Sequence, residues 1–249
     1  GPYRGAGQTG PLLIGTLPLI AENLAEVRER ISQATKKSGR DPDSGRLVVV
    51  SKQVDIAHIE EARTAGAVIF GENKIQDAVP RVDQLGSEGI SWHFIGHLQK
   101  NKVKFLDERF DLIHSVDSLE LAEKIANQCQ SENRVQSVLL QINVSGETAK
   151  FGMEPGELEN QMLAFSRLKG IRVEGLMTIP PYHPDSENSR RHFSRLRELR
   201  DQCEKQTRLS LHELSMGMTN DFEVAVEEGS TLVRVGTAIF GSRPRGEGN

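Results

Sequence analysis

The sequence predicts a single α/β domain, a closed (β/α)8 TIM-type barrel, and three observations carry that prediction. Eight short apolar runs recur along the 249 residues. Amphipathic helical segments lie between them, and neither a Gly-rich dinucleotide loop nor a Pro/Ser-rich linker interrupts the series. An open doubly wound sheet usually has fewer strands and uses such a loop.

The elements follow in order. Ile20 to Lys37 places Ile20, Leu24, Val27, Ile31 and Ala34 at helical spacing among charges, an amphipathic helix. The run 47–50 packs three valines behind Gly45, as a buried strand does. Asp55 is the N-cap expected for a helix through Ala65, closed by Gly66. Further strands are expected at 67–70, 92–95, 112–116, 138–144, 173–179, 211–214 and 232–235. Helices are expected at 119–130, opened by Asp117 or Ser118, and at 155–168, 185–207 and 221–228.

Composition narrows the function classes. Hydrophobic residues make up 37% and charged residues 27%, a globular balance. A net charge of −4 argues against a general nucleic-acid or membrane-surface binder. No apolar run reaches the roughly 18 residues that a bilayer requires. Cys129 and Cys203 are too few for a disulfide framework or a zinc site and read as small buried hydrophobes, which suits a reducing cytoplasm. Residues 1–15 lack the plan of a secretory signal and read as a disordered leader or an expression remnant. Residues 16–243 form the expected barrel and 244–249 a flexible tail.

In a parallel barrel, function collects where the strands end. Those ends carry Lys52, the 71–73 segment with Asn73, the 96–99 segment, Asn143, Thr178, the loop Ser215 to Thr219, and Gly236-Thr237. Gly217 and Gly236 let a backbone approach an anion, while Ser215 and Thr237 offer hydroxyls, so the last two loops suggest a phosphate site. Their glycines could equally serve tight turns alone. Lys52 follows a buried run and either snorkels outward or brings an imine-forming amine into the barrel mouth. Arg234 shares a strand face with Leu232 and Gly236, and inside a barrel it needs a carboxylate or a ligand. His93, His97 and His114 have no metal-ligand spacing and read as polar lining. Lys100, Lys102 and Lys104 read as a solvated helix face, and Trp92 as packing.

Seven motifs stand in one order: VVVSK at 48–52, FGEN at 70–73, WHFIGHLQKNK at 92–102, Asn143 with Glu147, Lys150 and Gly152, GLMTI at 175–179, LSMGMTNDFEVAV at 214–226, and GSTLVRVGTAIFGSR at 229–243. In this the chain resembles the YggS/PROSC family of pyridoxal phosphate homeostasis proteins, from about Ile20 to Arg243. Gln53 to Asp55, Lys74 and Asp77 depart from the commoner family pattern near strand two. The resemblance implies a fold like the alanine racemase N-terminal barrel, with pyridoxal 5′-phosphate as a Schiff base on Lys52 and Asn73 near it. It also implies phosphate contacts from Ser215, Gly217, Met218, Thr219, Gly236 and Thr237, and Arg234 at the pyridine nitrogen. Such proteins are expected to buffer the cofactor and pass it to apo-enzymes without robust turnover, as monomers or weak dimers. An amino-acid racemase is the alternative. It would need a second domain and a catalytic tyrosine, and the tyrosines here are Tyr3 and Tyr182. A Schiff-base aldolase is a third reading.

Overall fold

The computed structural model describes residues 19–242. The expected leader at 1–15 and tail at 244–249 lie outside the described residues. Eight parallel strands close on themselves in sequence order, β1 (Arg46–Val50), β2 (Ile69–Glu72), β3 (Ser91–Phe94), β4 (Phe110–Val116), β5 (Gln136–Gln141), β6 (Ile171–Met177), β7 (Glu213–Ser215) and β8 (Leu232–Val235). Closure is made by β8 against β1, with Arg46 beside Leu232 and Val48 beside Arg234. Around them run α1 (Ile20–Lys37), α2 (Ile56–Thr64), α3 (Ile75–Leu85), α4 (Leu119–Ser131), α5 (Pro155–Arg167), α6 (Arg190–Thr207), α7 (Phe222–Glu227) and α8 (Thr237–Phe240).

Period-two alternation sorts the apolar residues into two cores. Val48, Ile95, Leu112, Leu139, Met177 and Leu232 fill the barrel interior. Val49, Phe70, Trp92, Ile113, Val138, Leu176, Val233 and Val235 pack outward against the helices. Caps set the helix starts as the sequence suggests: Asp55 accepts from the His58 amide and Ser118 from the Leu121 amide. Asp117 instead accepts from the Gly152 amide at 3.1 Å and so anchors the loop after β5.

The fifth and sixth strands lie two residues or more earlier than expected, at Gln136–Gln141 and Ile171–Met177, and a 3-10 turn, Ser186–Ser189, precedes α6; three other differences bear on the site. The second strand runs Ile69–Glu72 rather than 67–70, because Val50 pairs with Gly71 and carries the ladder to the charged Glu72. The seventh runs Glu213–Ser215 rather than 211–214, continuing a register in which Met177 pairs with Ser215. Helix α3 is not expected from the sequence, since Pro80 lies inside it and Lys74 provides no side-chain cap. It holds because Ile75, Ala78 and Val82 bury one face, and the Trp92 indole N–H donates to the Gly86 carbonyl at its end. Lys100, Lys102 and Lys104 lie on a 3-10 helix, Lys100–Phe105, that buries only Val103.

At Gly175, which pairs with Glu213, β6 passes β7 with no room for a side chain. A Cβ there would stand 1.8 Å from the Glu213 carbonyl oxygen. Gly156, in α5, faces open space. Gly175→Ala should therefore destabilise the protein by about 3 kcal/mol or more, since overpacking forces the backbone apart. Gly156→Ala should be neutral or stabilising by up to about 1 kcal/mol. Urea unfolding of both variants measures the contrast, and equal effects would contradict the close strand approach.

Candidate functional site

A cavity of about 490 Å³ opens where the strands end, within the range of small-molecule sites. Its wall includes Lys52, Asn73, Gly217, Met218, Thr219, Arg234, Gly236 and Thr237, drawn from the ends of β1, β2, β7 and β8. These positions are scattered over nearly 190 residues of chain, and barrel closure alone brings them together.

Ser215, the ninth candidate, stands elsewhere. It is the last residue of β7 and fully buried. Its Oγ accepts a short hydrogen bond from Arg234 Nη1 and lies 2.7 Å from His114 Nδ1. The hydroxyl expected on a phosphate is thus engaged below the cavity, because strand parity turns residue 215 into the barrel.

Arg234 is 2% exposed. It donates to Ser215 and, at 3.0 Å, to the Thr178 carbonyl. No carboxylate forms an ion pair with it among the described residues. Burial pulls its pKa down to about 10, with the charge of Asp221 on the cavity wall working the other way. A buried cation held by neutral partners favours an anionic or electron-rich ligand in the space it faces.

Lys52 is exposed on the rim, and Gln53 after it takes a left-handed backbone, φ 59°. The peptide beneath is clamped. Ser51 Oγ donates to Glu72 Oε1 at 2.8 Å, while Arg81 Nη1 from α3 reaches both the Ser51 carbonyl and, at 3.1 Å, Glu72 Oε1. Glu72 is 1% exposed, and burial raises its pKa against the pull of Arg81 and Ser51. This cluster ties the residue before Lys52 to the residue before Asn73. Sequence reasoning noted Glu72 only as a strand end and missed Arg81, whose helix was not foreseen.

The remaining wall adds detail. Asn73 Oδ1 is buried without a hydrogen-bond partner. Gly96 lets the β3 loop press on Asn73, since a Cβ there would lie 1.9 Å from the Asn73 carbonyl oxygen. Gly217 has φ 100°, and its Cβ would stand 2.7 Å from that of Ala225. Its glycine is therefore required by the turn whether or not an anion binds. The Met218 amide donates to Asp221 Oδ1 at 2.9 Å, and Asn220 Nδ2 to the His183 carbonyl at 2.8 Å. The second bond joins the loop after β7 to the 179–183 loop, whose Ile179, Pro180 and Tyr182 complete the mouth. His97, by contrast, is exposed and stacks on Phe151 at 3.7 Å. No group of described residues has the arrangement of a metal site.

The comparisons with known proteins agree with this geometry. The family described as alanine racemase, N-terminal domain, matches residues 22–244. The pyridoxal phosphate homeostasis protein of Aquifex aeolicus is 43% identical over 222 residues, 89% of this chain and 97% of the relative. That of Escherichia coli K12 is 42% identical, over 90% of this chain and 97% of the relative. The chain belongs to the pyridoxal phosphate homeostasis protein family. PipY of Synechococcus elongatus, solved with PLP bound, superposes with a TM-score of 0.80 at 36% identity, covering 89% of this chain and all of PipY. Alanine racemase of Corynebacterium glutamicum, at 16% identity and TM-score 0.63, shares the fold.

The wall suits the cofactor that gives the family its name. The buried Arg234 cation, the unpartnered Asn73 oxygen and the Lys52 amine on one cavity supply a donor, an acceptor and an imine-forming nitrogen.

Inside the barrel, His93 Nδ1 lies 2.9 Å from His114 Nε2. Burial lowers the His93 pKa to about 3 and puts His114 well below the ordinary value, aided by His93 and Arg234. Both are neutral when folded and return to the ordinary value of about 6.5 when unfolded. Below that pH the unfolded chain takes up protons that the folded one refuses, so stability is lost as pH falls from about 6.5 toward about 3. The expected slope reaches about 1.4 kcal/mol per pH unit for each histidine. Urea unfolding from about pH 7 to about pH 5 should show a steeper acid loss for wild type than for His93→Asn. Parallel curves would mean that His93 is already protonated in the fold.

Proposed function

We propose that this protein binds pyridoxal 5′-phosphate in the cavity at the strand ends, as a Schiff base on Lys52, and serves intracellular cofactor homeostasis. The observation that carries the reading is Arg234, a buried guanidinium on the cavity wall with no carboxylate pair among the described residues, facing the same space as Lys52. Family membership and a PLP-bound relative at 36% identity support it.

When bound, the cofactor supplies an aldehyde that links reversibly to amines and a ring able to withdraw electrons. Lys52 Nζ makes the covalent link at the rim. The loops at 217–219 and 236–237 surround the phosphate with backbone and the Thr219 and Thr237 hydroxyls. Asn73 contacts the ring from the β2 side. Arg234 meets the pyridine nitrogen with N–H groups only, so it cannot accept and hold a proton there. A ring left unprotonated withdraws electrons weakly, so robust turnover is not expected and the role is storage and delivery to apo-enzymes. A reducing cytoplasm is the compartment proposed, where the buried Cys129 and Cys203 remain thiols. The proposed state is a monomer or weak dimer.

An amino-acid racemase is the rival reading, favoured by one feature: Tyr182 lines the mouth and is 79% exposed. Racemisation would require a second proton carrier opposite Lys52, and Tyr182 is the tyrosine on this wall. Exchange of the amino-acid α-hydrogen at about 10 s⁻¹, an ordinary enzyme rate, that is lost in Tyr182→Phe would establish that reading.

Borohydride treatment followed by peptide mass spectrometry should place the reduced pyridoxyl group on Lys52, with none retained by Lys52→Ala. Full labelling of another lysine would refute the assignment. Saturation at about a hundredfold over the dissociation constant should stabilise the fold by about 2.7 kcal/mol. For the phosphate loops, Thr237→Val is a cleaner probe than any change at Gly217, whose glycine the turn itself needs. It should weaken pyridoxal phosphate at least about tenfold more than pyridoxal, the equivalent of one charge-assisted hydrogen bond. Equal losses would remove Thr237 from the phosphate site.

A further inference from the structure

Below the cavity, four side chains from four strands form one continuous hydrogen-bonded row. It runs from Arg234 on β8 to Ser215 on β7, His114 on β4 and His93 on β3. All four are buried. Donor and acceptor chemistry sets its direction. Arg234 can only donate, so Ser215 Oγ accepts from it and directs its single proton to His114 Nδ1. A neutral His114 that accepts on Nδ1 carries its proton on Nε2 and passes that hydrogen bond to His93 Nδ1. His93 then holds its own proton on Nε2. With one imidazole reversed, two donors or two lone pairs would face each other inside the barrel; with both reversed, Ser215 Oγ would accept twice and its own buried proton would have no acceptor among the described residues.

We infer that Ser215 and His114 are positioning residues that fix the rotation of the Arg234 guanidinium and keep its cavity side a permanent donor. Nothing in the row can accept the guanidinium's charge: the serine is neutral, and burial keeps both imidazoles neutral, aided by Arg234 at His114 and by Arg46 at His93. The Thr178 carbonyl, one residue past β6, holds Nη2 at 3.0 Å, so Nη1 and Nη2 each have one N–H engaged and the plane of the group is set from β7 and from the end of β6. Removing Ser215 Oγ would free one edge of that plane to turn within the cavity floor. The importance of this orientation for the bound ring rests on the proposed placement of Arg234 at the pyridine nitrogen. The direction of the row does not.

The test therefore has two arms. In cofactor-free protein, ¹⁵N NMR of imidazole-labelled histidine, with His93→Asn and His114→Asn for assignment, should find both residues as neutral Nε2–H tautomers. A His114 with its proton on Nδ1, or a doubly protonated His114 near neutral pH, would overturn the row. In the second arm, PLP affinity and the absorption spectrum of the bound cofactor are measured for Ser215→Ala, His114→Phe, Arg234→Gln and the Ser215→Ala/Arg234→Gln double variant. Ser215→Ala should weaken binding about tenfold and shift the band in the same sense as Arg234→Gln, with no added effect in the double variant, as groups acting through one another behave. Additive losses, or an unchanged band in Ser215→Ala, would refute positioning. Should His114→Phe fail to fold, Ser215→Ala, which only removes a hydroxyl, decides the outcome. Wild-type protein that binds no PLP would instead sink the functional reading and with it the role at the ring, while the NMR arm still decides the row.

Discussion

The guanidinium of Arg234 is buried inside a closed barrel, and its desolvation has to be offset by groups the barrel itself supplies. Those groups are neutral: a hydroxyl, a backbone carbonyl and, one step further, two imidazoles. A carboxylate partner would have settled the charge within the fold and left the cavity indifferent to its contents. Without one, the electrostatic demand is passed upward to whatever occupies the space at the strand ends. The interior thus divides by height. Apolar side chains such as Leu112, Leu139 and Leu232 fill it, the polar row crosses among them, and the ion pair of Arg46 with Glu213 closes the far end.

A second buried charge governs the rim on the other side. Glu72 is kept within the fold by Arg81 and Ser51, at the cost of a carboxyl that burial pushes upward. The arrangement couples Lys52 and Asn73, because the same carboxylate is anchored to the residue preceding one and itself precedes the other. A lysine amine on a fixed backbone suits a nucleophile that must reach a carbonyl and later release it. Across the mouth, Asn220 joins the loop after β7 to the segment bearing Tyr182, so the two flanks of the cavity are held by different devices.

Much of this was legible before any coordinates. Valine-rich runs and helical spacing give the strand and helix order, since burial on both faces of a parallel strand demands continuous apolar sequence. Parity along β8 already put Arg234 on one face with Leu232, and closure of the barrel made that face the inner one. Short caps such as Asp55 and Ser118 are equally local and equally readable. Helix α3 was not, because Pro80 reads as a break while the burial of Ile75, Ala78 and Val82 that overrides it depends on the barrel surface beneath. Ser215 was misplaced for a related reason. Its motif reads as a loop, whereas the register against Met177 makes it the end of a strand with an inward side chain.

The sequence by itself determined the class of fold, the order of its elements and the kinds of chemistry available: an amine at residue 52, an amide at 73, a guanidinium at 234 and small residues in the last two loops. These follow from periodicity and from motifs that span few residues. Only the tertiary structure decided which of them share a wall, that Ser215 serves Arg234 rather than the cavity, and that Glu72, Arg81 and His114 belong to the supporting framework. Hydrogen bonds between residues 19 to 101 positions apart leave no local trace, because the chain separation between strand ends bears no relation to their distance once the barrel is closed.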